Sequence, residues 1–471
     1  MVQHGLMIAR DRPLEPTGTH LRTMMGEVTE YLVGLVDGIR DAPVSDFDGV
    51  PELLADPELR RPPGDTGRPL AELLSIVDRA AAKGLDAGHP GHLAYIPGSG
   101  LVSAAIADLV AAVLNRYTGL AHVAPGLVAL EADVIRWQAD LFGLPDTAAG
   151  VLTSGASIAT LSAIVTARDT VLPDDFRAAT VYVSSQTHQC VAKAARLAGL
   201  PVRAVRTVAV DGALRMDPDA LRAAIAADRA AGLRPLAVVA NAGSTGTGAV
   251  DPLPALADIA AEERIWLHVD AAYGGFFQLT ERGRSRLRGI ERADSLVVDP
   301  HKSLFLPFGT GSLLVRDGEL LRRAHSGVEG HVLQDIRDSS VPDFAAYGPE
   351  LTRDCRGLRM WLPLHLHGVD AFRSALDEKL DLAAYAHAEL RDDPHLHVLG
   401  APELSVVAFQ HRGGQTAELL HRVNAEARVF LSSTTIDDRY TGRICVLNHR
   451  TDRARVDMAV EAVRRHAAAL S

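Results

Sequence analysis

The sequence predicts an α/β fold: a mostly parallel central sheet with helices on both sides, plus a smaller C-terminal α+β domain. Three observations predict it. From about Val151, short apolar runs alternate with amphipathic stretches of helical period. The runs have the β-branched content of strands buried on both faces. The chain's 471 residues exceed one ordinary domain and suffice to bury a large core.

Residues 1–85 read as helices. "THLRTMMGEVTEYLVGLVDGI" has helical spacing, "RDAPVSDFDGVPELLADPELRRPPGDTGRPL" interrupts it, and "AELLSIVDRAAAKGL" resumes it. These helices have no obvious core of their own, so the segment is expected to wrap a neighbouring subunit. Residues 86–355 form the large domain. Its strand candidates are "TVYVSS" (180–185), "VRAVRTV" (202–208), "LAVVANA" (236–242), "RIWLHVD" (264–270), "SLVVD" (295–299) and "GSLLV" (311–315). Helices such as "DPDALRAAIAADRAAG" and "PLPALADIAAEE" lie between them. Alternation of this kind implies parallel strands joined by crossovers. Residues 356–471 form the small domain. One long helical stretch, "RGLRMWLPLHLHGVDAFRSALDEKLDLAAYAHAEL", leads to strands "LSVVAFQH" and "GRICVLNH" and helices "TAELLHRVNAEA" and "DRARVDMAVEAVRRHAAAL".

Hydrophobic residues make up 47% and charged residues 23%, with a formal net charge of −11 and interspersed signs. No basic block offers itself to nucleic acid or to an anionic membrane. No apolar run is long enough to cross a bilayer, and "MVQHGLMIARDRPLEP" lacks the apolar core of a signal peptide. Cys190, Cys355 and Cys445 are odd in number and far apart, which argues against a disulfide framework and for a reducing, cytoplasmic compartment. The "HLH" pairs at 365–367 and 395–397 lack supporting ligand spacing, so no metal site is expected.

In open α/β sheets, ligands collect beyond the carboxyl ends of the strands. Four features fall there. Asp270 ends an apolar strand in "HVDAAYGG"; it is either a turn cap or a buried carboxylate in need of a cation. Lys302 follows the turn former Asp299–Pro300 and sits beside His301. It is either a snorkelling surface residue or a partly desolvated amine with a lowered pKa, able to form a Schiff base. "TSGAS" (153–157) opens an amphipathic helix, where free N–H groups favour an anion such as phosphate. His188, at a strand-to-helix transition, is either a cap or an acid/base beside a flat ligand.

"VDPHK", "HVDAAYGG", "TSGASIATLSA" and "SSQTHQCVAKAARLAG" follow one another in an order that resembles the pyridoxal-phosphate-dependent group II amino-acid decarboxylases. That family includes the aromatic-amino-acid, glutamate and diaminobutyrate decarboxylases. The likeness extends to "HPGHLAYIPG" (89–98) and "LTRDCRGLRMWLPLHLHGVDAFR" (351–373), and so covers nearly the whole chain. It implies a fold-type-I, aspartate-aminotransferase-like architecture, pyridoxal 5'-phosphate as cofactor, a small-molecule amino-acid substrate, and a homodimer with shared active sites. By position it implies that Lys302 holds the cofactor aldehyde in a Schiff base and that Asp270 pairs with the protonated pyridine nitrogen. His188 would stack on the ring and Ala272 would pack on its other face. Ala156 and Ser157, with His301, would bind the phosphate, and Thr245 would lie near the phenolic oxygen. The expected reaction is cleavage of the Cα–carboxylate bond.

Two departures from the family stand out. The animal and plant members carry a mobile-loop tyrosine that protonates the carbon left after CO₂ departs. Its position, counted back from "RMW", falls on Phe344. In plant relatives phenylalanine here accompanies oxygen-dependent decarboxylation with deamination, giving an aldehyde. Tyr347, three residues on, is the other candidate acid. The second departure is the stretch Gly119, Leu120 and Ala121, where members that bind aromatic substrates carry bulky aromatics; smaller walls suggest a larger or differently shaped side chain, with His92 and His122 as polar contacts. Transamination and β-elimination remain alternatives on the same fold. A non-catalytic dimeric scaffold is the non-enzyme alternative, and the Lys302–Asp270–His188 set argues against it.

Overall fold

A computed structural model describes residues 14–327 and 341–471. The chain divides into two compact units, 1–89 and 90–471.

The first unit contains the helices Gly18–Gly38, Val50–Ala55 and Leu70–Ala81, with Ser45–Asp46 pairing antiparallel to Gly84–Leu85. Thr17 caps the first helix by accepting from the His20 N–H. None of these three helices holds a buried residue. Leu32, Val33, Leu35, Val36, Leu73 and Val77 are exposed.

The second unit is built on a seven-stranded sheet. In spatial order its strands are Ala149–Thr153, Gly311–Val315, Ser295–Val298, Trp266–Asp270, Arg234–Asn241, Ala179–Ser184 and Val205–Val208. Gly311–Val315 runs antiparallel to both its neighbours, and the other pairings are parallel. Strands such as Ala179–Ser184 and Trp266–Asp270 are buried at every position, as a sheet covered on both faces requires. The six expected strands are present, Gly311–Val315 as expected and the other five with shifted ends, and Val202–Ala204 is a 3-10 turn leading into its strand. Ala149–Thr153 is an edge strand that the alternation does not announce, because "AGVLT" is too short and too poor in β-branched residues.

A five-stranded sheet follows in the order Leu396–Leu399, Val406–His411, Arg439–Cys445, Phe430–Ile436 and His92–Leu93. It packs Leu93, Val407, Phe409 and Ile444 against Leu382, Leu390, Leu419 and Val463 in a core of its own. The helical stretch after Arg356 is two helices, Arg356–His367 and Val369–Arg391, broken at Gly368, which adopts φ +74°. Among the described residues, no helix is long and apolar enough to cross a membrane.

Candidate active site

The carboxyl ends of four parallel strands and one edge strand converge on a cavity of about 310 Å³, at the lower end of the ~300–1,000 Å³ typical of small-molecule sites. All eight residues expected to bind the cofactor line it: Ala156, Ser157, His188, Thr245, Asp270, Ala272, His301 and Lys302. Cys190, Asn241, Gly243, Tyr273 and Asp299 line it too.

They arrive from the ends of five strands. Asp270 is the last residue of Trp266–Asp270 and accepts from the Ala272 N–H at 3.1 Å. Burial pushes its carboxyl up, and the charge of Lys302 opposes that shift. Such a carboxylate is stabilised by a cation in the cavity. Lys302 lies on the single turn Pro300–Ser303, which begins where Ser295–Val298 ends. Its Nζ is 2.9 Å from Asp299 Oδ2.

The expected lowering of the Lys302 pKa is not what the structure holds. Burial does pull the ammonium down, but Asp299 and Asp270 outweigh it and leave the group above its ordinary value. Two carboxylates face one cation, so the amine rests protonated and must give up a proton before it attacks a carbonyl.

The helix Ala156–Val171 starts at the cavity wall, and its N-cap residue Gly155 offers no side chain. Gly311 permits this approach: a Cβ there would lie 2.5 Å from Gly155 Cα and 2.9 Å from Ala156 N. The Ala156 N–H donates to Asp299 Oδ1 at 2.8 Å. His301 contacts the Thr310 carbonyl through Nδ1 at 2.6 Å. A carbonyl only accepts, so Nδ1 carries the proton. Burial lowers the His301 pKa and keeps the ring neutral.

Thr245 sits on a loop that Asp251 holds. The Asp251 carboxylate accepts from Asn241 N at 2.7 Å, Asn241 Nδ2 at 2.9 Å and Met216 N at 2.7 Å. Gly243 turns this loop with φ +102°. His188 is solvent-exposed at the cavity wall, and its Nδ1 accepts from the Cys190 N–H at 3.3 Å. Tyr273 ties the cavity floor to the second sheet, its hydroxyl accepting from Ser405 N at 2.8 Å.

Phe344 and Tyr347 do not line this cavity. Phe344 is 1% exposed and Tyr347 half-buried, and they border a separate cleft with Ile135, Arg136 and Ala148. Gly119, Leu120 and Ala121 do not line the cavity either; they are tied to the 343–354 segment instead. Asp343 Oδ1 accepts from Ala121 N at 2.6 Å, Ala345 N donates to Gly119 O at 3.0 Å, and Tyr117 donates to Leu351 O at 2.6 Å. A Cβ on Gly119 would lie 2.6 Å from the Tyr117 ring and 2.9 Å from Leu351 O, so packing accounts for that glycine. Asp299 was legible in "DPHK" only as a turn former; its role at the helix start depends on a contact across 143 residues.

The donor set fits pyridoxal phosphate. It offers an amine for the aldehyde, a buried carboxylate for the ring nitrogen, and a helix N-terminus for the phosphate.

The family model described as "Pyridoxal-dependent decarboxylase conserved domain" matches residues 63–412. The chain is 31% identical to an aromatic-L-amino-acid decarboxylase of Bacillus atrophaeus, covering 93% of each chain. It is 30% identical to an L-2,4-diaminobutyrate decarboxylase of Rhizobium meliloti (strain 1021), covering 95% of this chain and 88% of that one. The crystal structure of Oryza sativa TDC with PLP and tryptamine superposes with a TM-score of 0.91 at 25% identity, covering 98% of this chain and 99% of that one. With its fold, its cavity and these relatives in agreement, the chain belongs to the pyridoxal-dependent decarboxylase family and is a PLP-dependent carboxy-lyase acting on amino acids.

Proposed function

We propose that this cavity decarboxylates an L-amino acid to its amine, with Lys302 and Asp270 as the residues that make the reaction possible. The observation that carries the assignment of roles is their common cavity with the start of the helix Ala156–Val171. Pyridoxal phosphate, when bound, supplies the sink for the electrons released as the Cα–carboxylate bond breaks. Asp270 keeps a positive charge at the ring nitrogen through its buried carboxylate. Lys302 would hold the cofactor through its amine. His188 and Ala272 would hold the ring, Thr245 would lie near its phenolic oxygen, and Ala156, Ser157 and His301 would receive the phosphate.

The working form in this reading is a cytoplasmic homodimer with shared sites. Support for the dimer comes from the first unit's exposed apolar helices and from Ile106, Leu109, Val110 and Val113, which are exposed on the helix Val102–Leu114. Support for the reducing compartment comes from three unpaired, buried cysteines. Tyr347 is the candidate for the final proton to carbon.

A second reading, decarboxylation coupled to oxidative deamination, is favoured by Phe344 at the loop position. The chain is also 30% identical to a phenylacetaldehyde synthase of Petunia hybrida, covering 80% of each chain. A panel of L-amino acids incubated with holoenzyme, aerobically and anaerobically, separates the two. Amine and CO₂ without oxygen consumption supports the first reading; aldehyde, ammonia and peroxide support the second.

A further inference from the structure

Phe305, three residues after Lys302, adopts φ +63°. Seven other described non-glycine residues have a positive φ, and each is exposed or half-buried. Asn115 and Arg264 end helices, and Asp437 and Asp438 make a hairpin turn, where such a conformation is ordinary. Phe305 is 2% exposed. A bulky L-residue in this region is strained unless its surroundings hold it there.

The position has a local reading. The turn Pro300–Ser303 ends at Leu304, and the next residue is where a helix commonly turns left-handed, usually with glycine. Glycine would adopt this φ without strain, so the phenyl ring needs a reason of its own.

The backbone of Phe305 closes two contacts. Its N–H donates to the Lys302 carbonyl at 3.1 Å, and its carbonyl accepts from the Leu101 N–H at 2.8 Å. The segment 98–101 lies directly against the turn: a Cβ on Gly98 would stand 2.6 Å from the His301 carbonyl oxygen. The ring is stacked on Phe372, with centroids 6.5 Å apart and planes 10° apart, and tilted against His449 at 5.6 Å. These separations fall within the ~4.5–7 Å of aromatic pairs. Phe372 is buried on the helix Val369–Arg391. His449 is fixed in turn by Ser99, whose Oγ lies 2.7 Å from Nδ1. Strain at the lysine's turn is thus held by two side chains from far along the chain.

We propose that Phe305 is a positioning residue for Lys302. Its ring, held by Phe372 and His449, keeps the backbone left-handed where the lysine's turn ends, and so fixes the direction from which the Lys302 amine meets a carbonyl. Without that hold the strained backbone relaxes and takes the Phe305 N–H away from the Lys302 carbonyl.

This inference rests on Lys302 as the point of cofactor attachment, and its test separates the two. Protein stripped of cofactor is mixed with pyridoxal phosphate, the yellow band is followed in time, and borohydride trapping locates the label. Phe305→Gly accepts the φ but lacks the ring. It is expected to gain the band about tenfold more slowly than wild type, since misplacing a reacting group by about 1 Å costs up to ~10²-fold. With a substrate from the panel above, its kcat should fall about tenfold while KM stays within about twofold. Phe372→Leu, which leaves the turn's own sequence intact, should slow both steps in the same direction. The double variant should be no slower than Phe305→Gly alone, because both changes act through one contact. Phe305→Leu, which keeps the bulk and loses the stacking, replaces Phe305→Gly if that variant fails to fold. Variants that unfold more readily and yet match wild type in band formation and kcat would show a ring that only packs, and would overturn the role of Phe305. Borohydride label on a residue other than Lys302 in wild type would overturn the attachment itself.

Discussion

The guanidinium of Arg353 lies 4.8 Å from the centre of the Phe344 ring and donates to the Glu131 carboxylate at 2.5 Å. The pair is 1% and 0% exposed, and Arg353 also donates to the carbonyl of Leu152 at 3.1 Å. Burial raises the Glu131 carboxyl, and Arg353 opposes the shift. One cation thus fastens the segment that carries Phe344 and Tyr347 to the strand Ala149–Thr153, which leads into the helix Ala156–Val171 at the cavity wall.

Removing Arg353 therefore strands a buried carboxylate. Arg353→Met is expected to cost about 3–5 kcal/mol of stability in denaturant unfolding. Adding Glu131→Gln to that variant should recover a substantial part of the loss. A single substitution within about 0.5 kcal/mol of wild type would show that the pair is not a fastening, since that is the range of an ordinary surface change.

Lys302 is the expected attachment point. Borohydride reduction of holoenzyme followed by peptide mapping should place the pyridoxyl group on Lys302, and Lys302→Ala should lose the yellow chromophore. A label on Lys193 or Lys83 would refute the assignment.

For Asp270, the expectation is a chemical defect without a folding defect. Asp270→Asn removes the charge that keeps the ring nitrogen protonated, so turnover should drop by roughly two or more orders of magnitude while unfolding midpoints change little. Normal turnover in the variant would remove Asp270 from the reaction.

The oligomer is tested by sedimentation across the working concentration range. A dimer is expected throughout, because the exposed apolar positions on Gly18–Gly38, Leu70–Ala81 and Val102–Leu114 need a partner surface. A fully active monomer would contradict shared sites.

The fate of the carbon after CO₂ leaves is tested on the loop. If Tyr347 is the acid, Tyr347→Phe should cut amine formation strongly and leak aldehyde and peroxide under air. Burial raises the Tyr347 hydroxyl, so it is present as a proton donor across the neutral range. If wild type already consumes oxygen, Phe344→Tyr should shift product towards amine. Because Phe344 is buried under Arg353, that variant also places a hydroxyl in the core, and an unpartnered one costs about 1–3 kcal/mol. Amine from wild type with both substitutions silent would place the protonation step elsewhere.

Much of the site was legible in the chain because local rules apply at strand ends. Asp270 closes an apolar run, Lys302 follows a turn-forming Asp-Pro, and Ala156 and Ser157 open a helix after a glycine. Each signal is contained within a few residues, so pattern and turn chemistry suffice to find it. The edge strand Ala149–Thr153 was not legible, since pairing with Gly311–Val315, far off in the chain, defines it and not composition; Leu396–Leu399 and Phe430–Ile436 of the five-stranded sheet were not legible either, although each pairs with a strand close by in sequence. Gly119 is a similar case: a Cβ there would meet the Tyr117 ring and Leu351 O, a contact set by packing across the chain.

The sequence by itself determined the alternation of strands and helices, and with it the strand ends where the reactive lysine and its carboxylate would stand. Tertiary structure alone decided the charge state around them. Whether Lys302 rests as an amine or an ammonium depends on Asp299 at 2.9 Å and on Asp270 across the cavity. That Asp299 also receives the first N–H of the helix Ala156–Val171 depends on Ala156, 143 positions away in the chain. Electrostatic energies follow distance and burial in space, and neither is written in the order of residues along a chain.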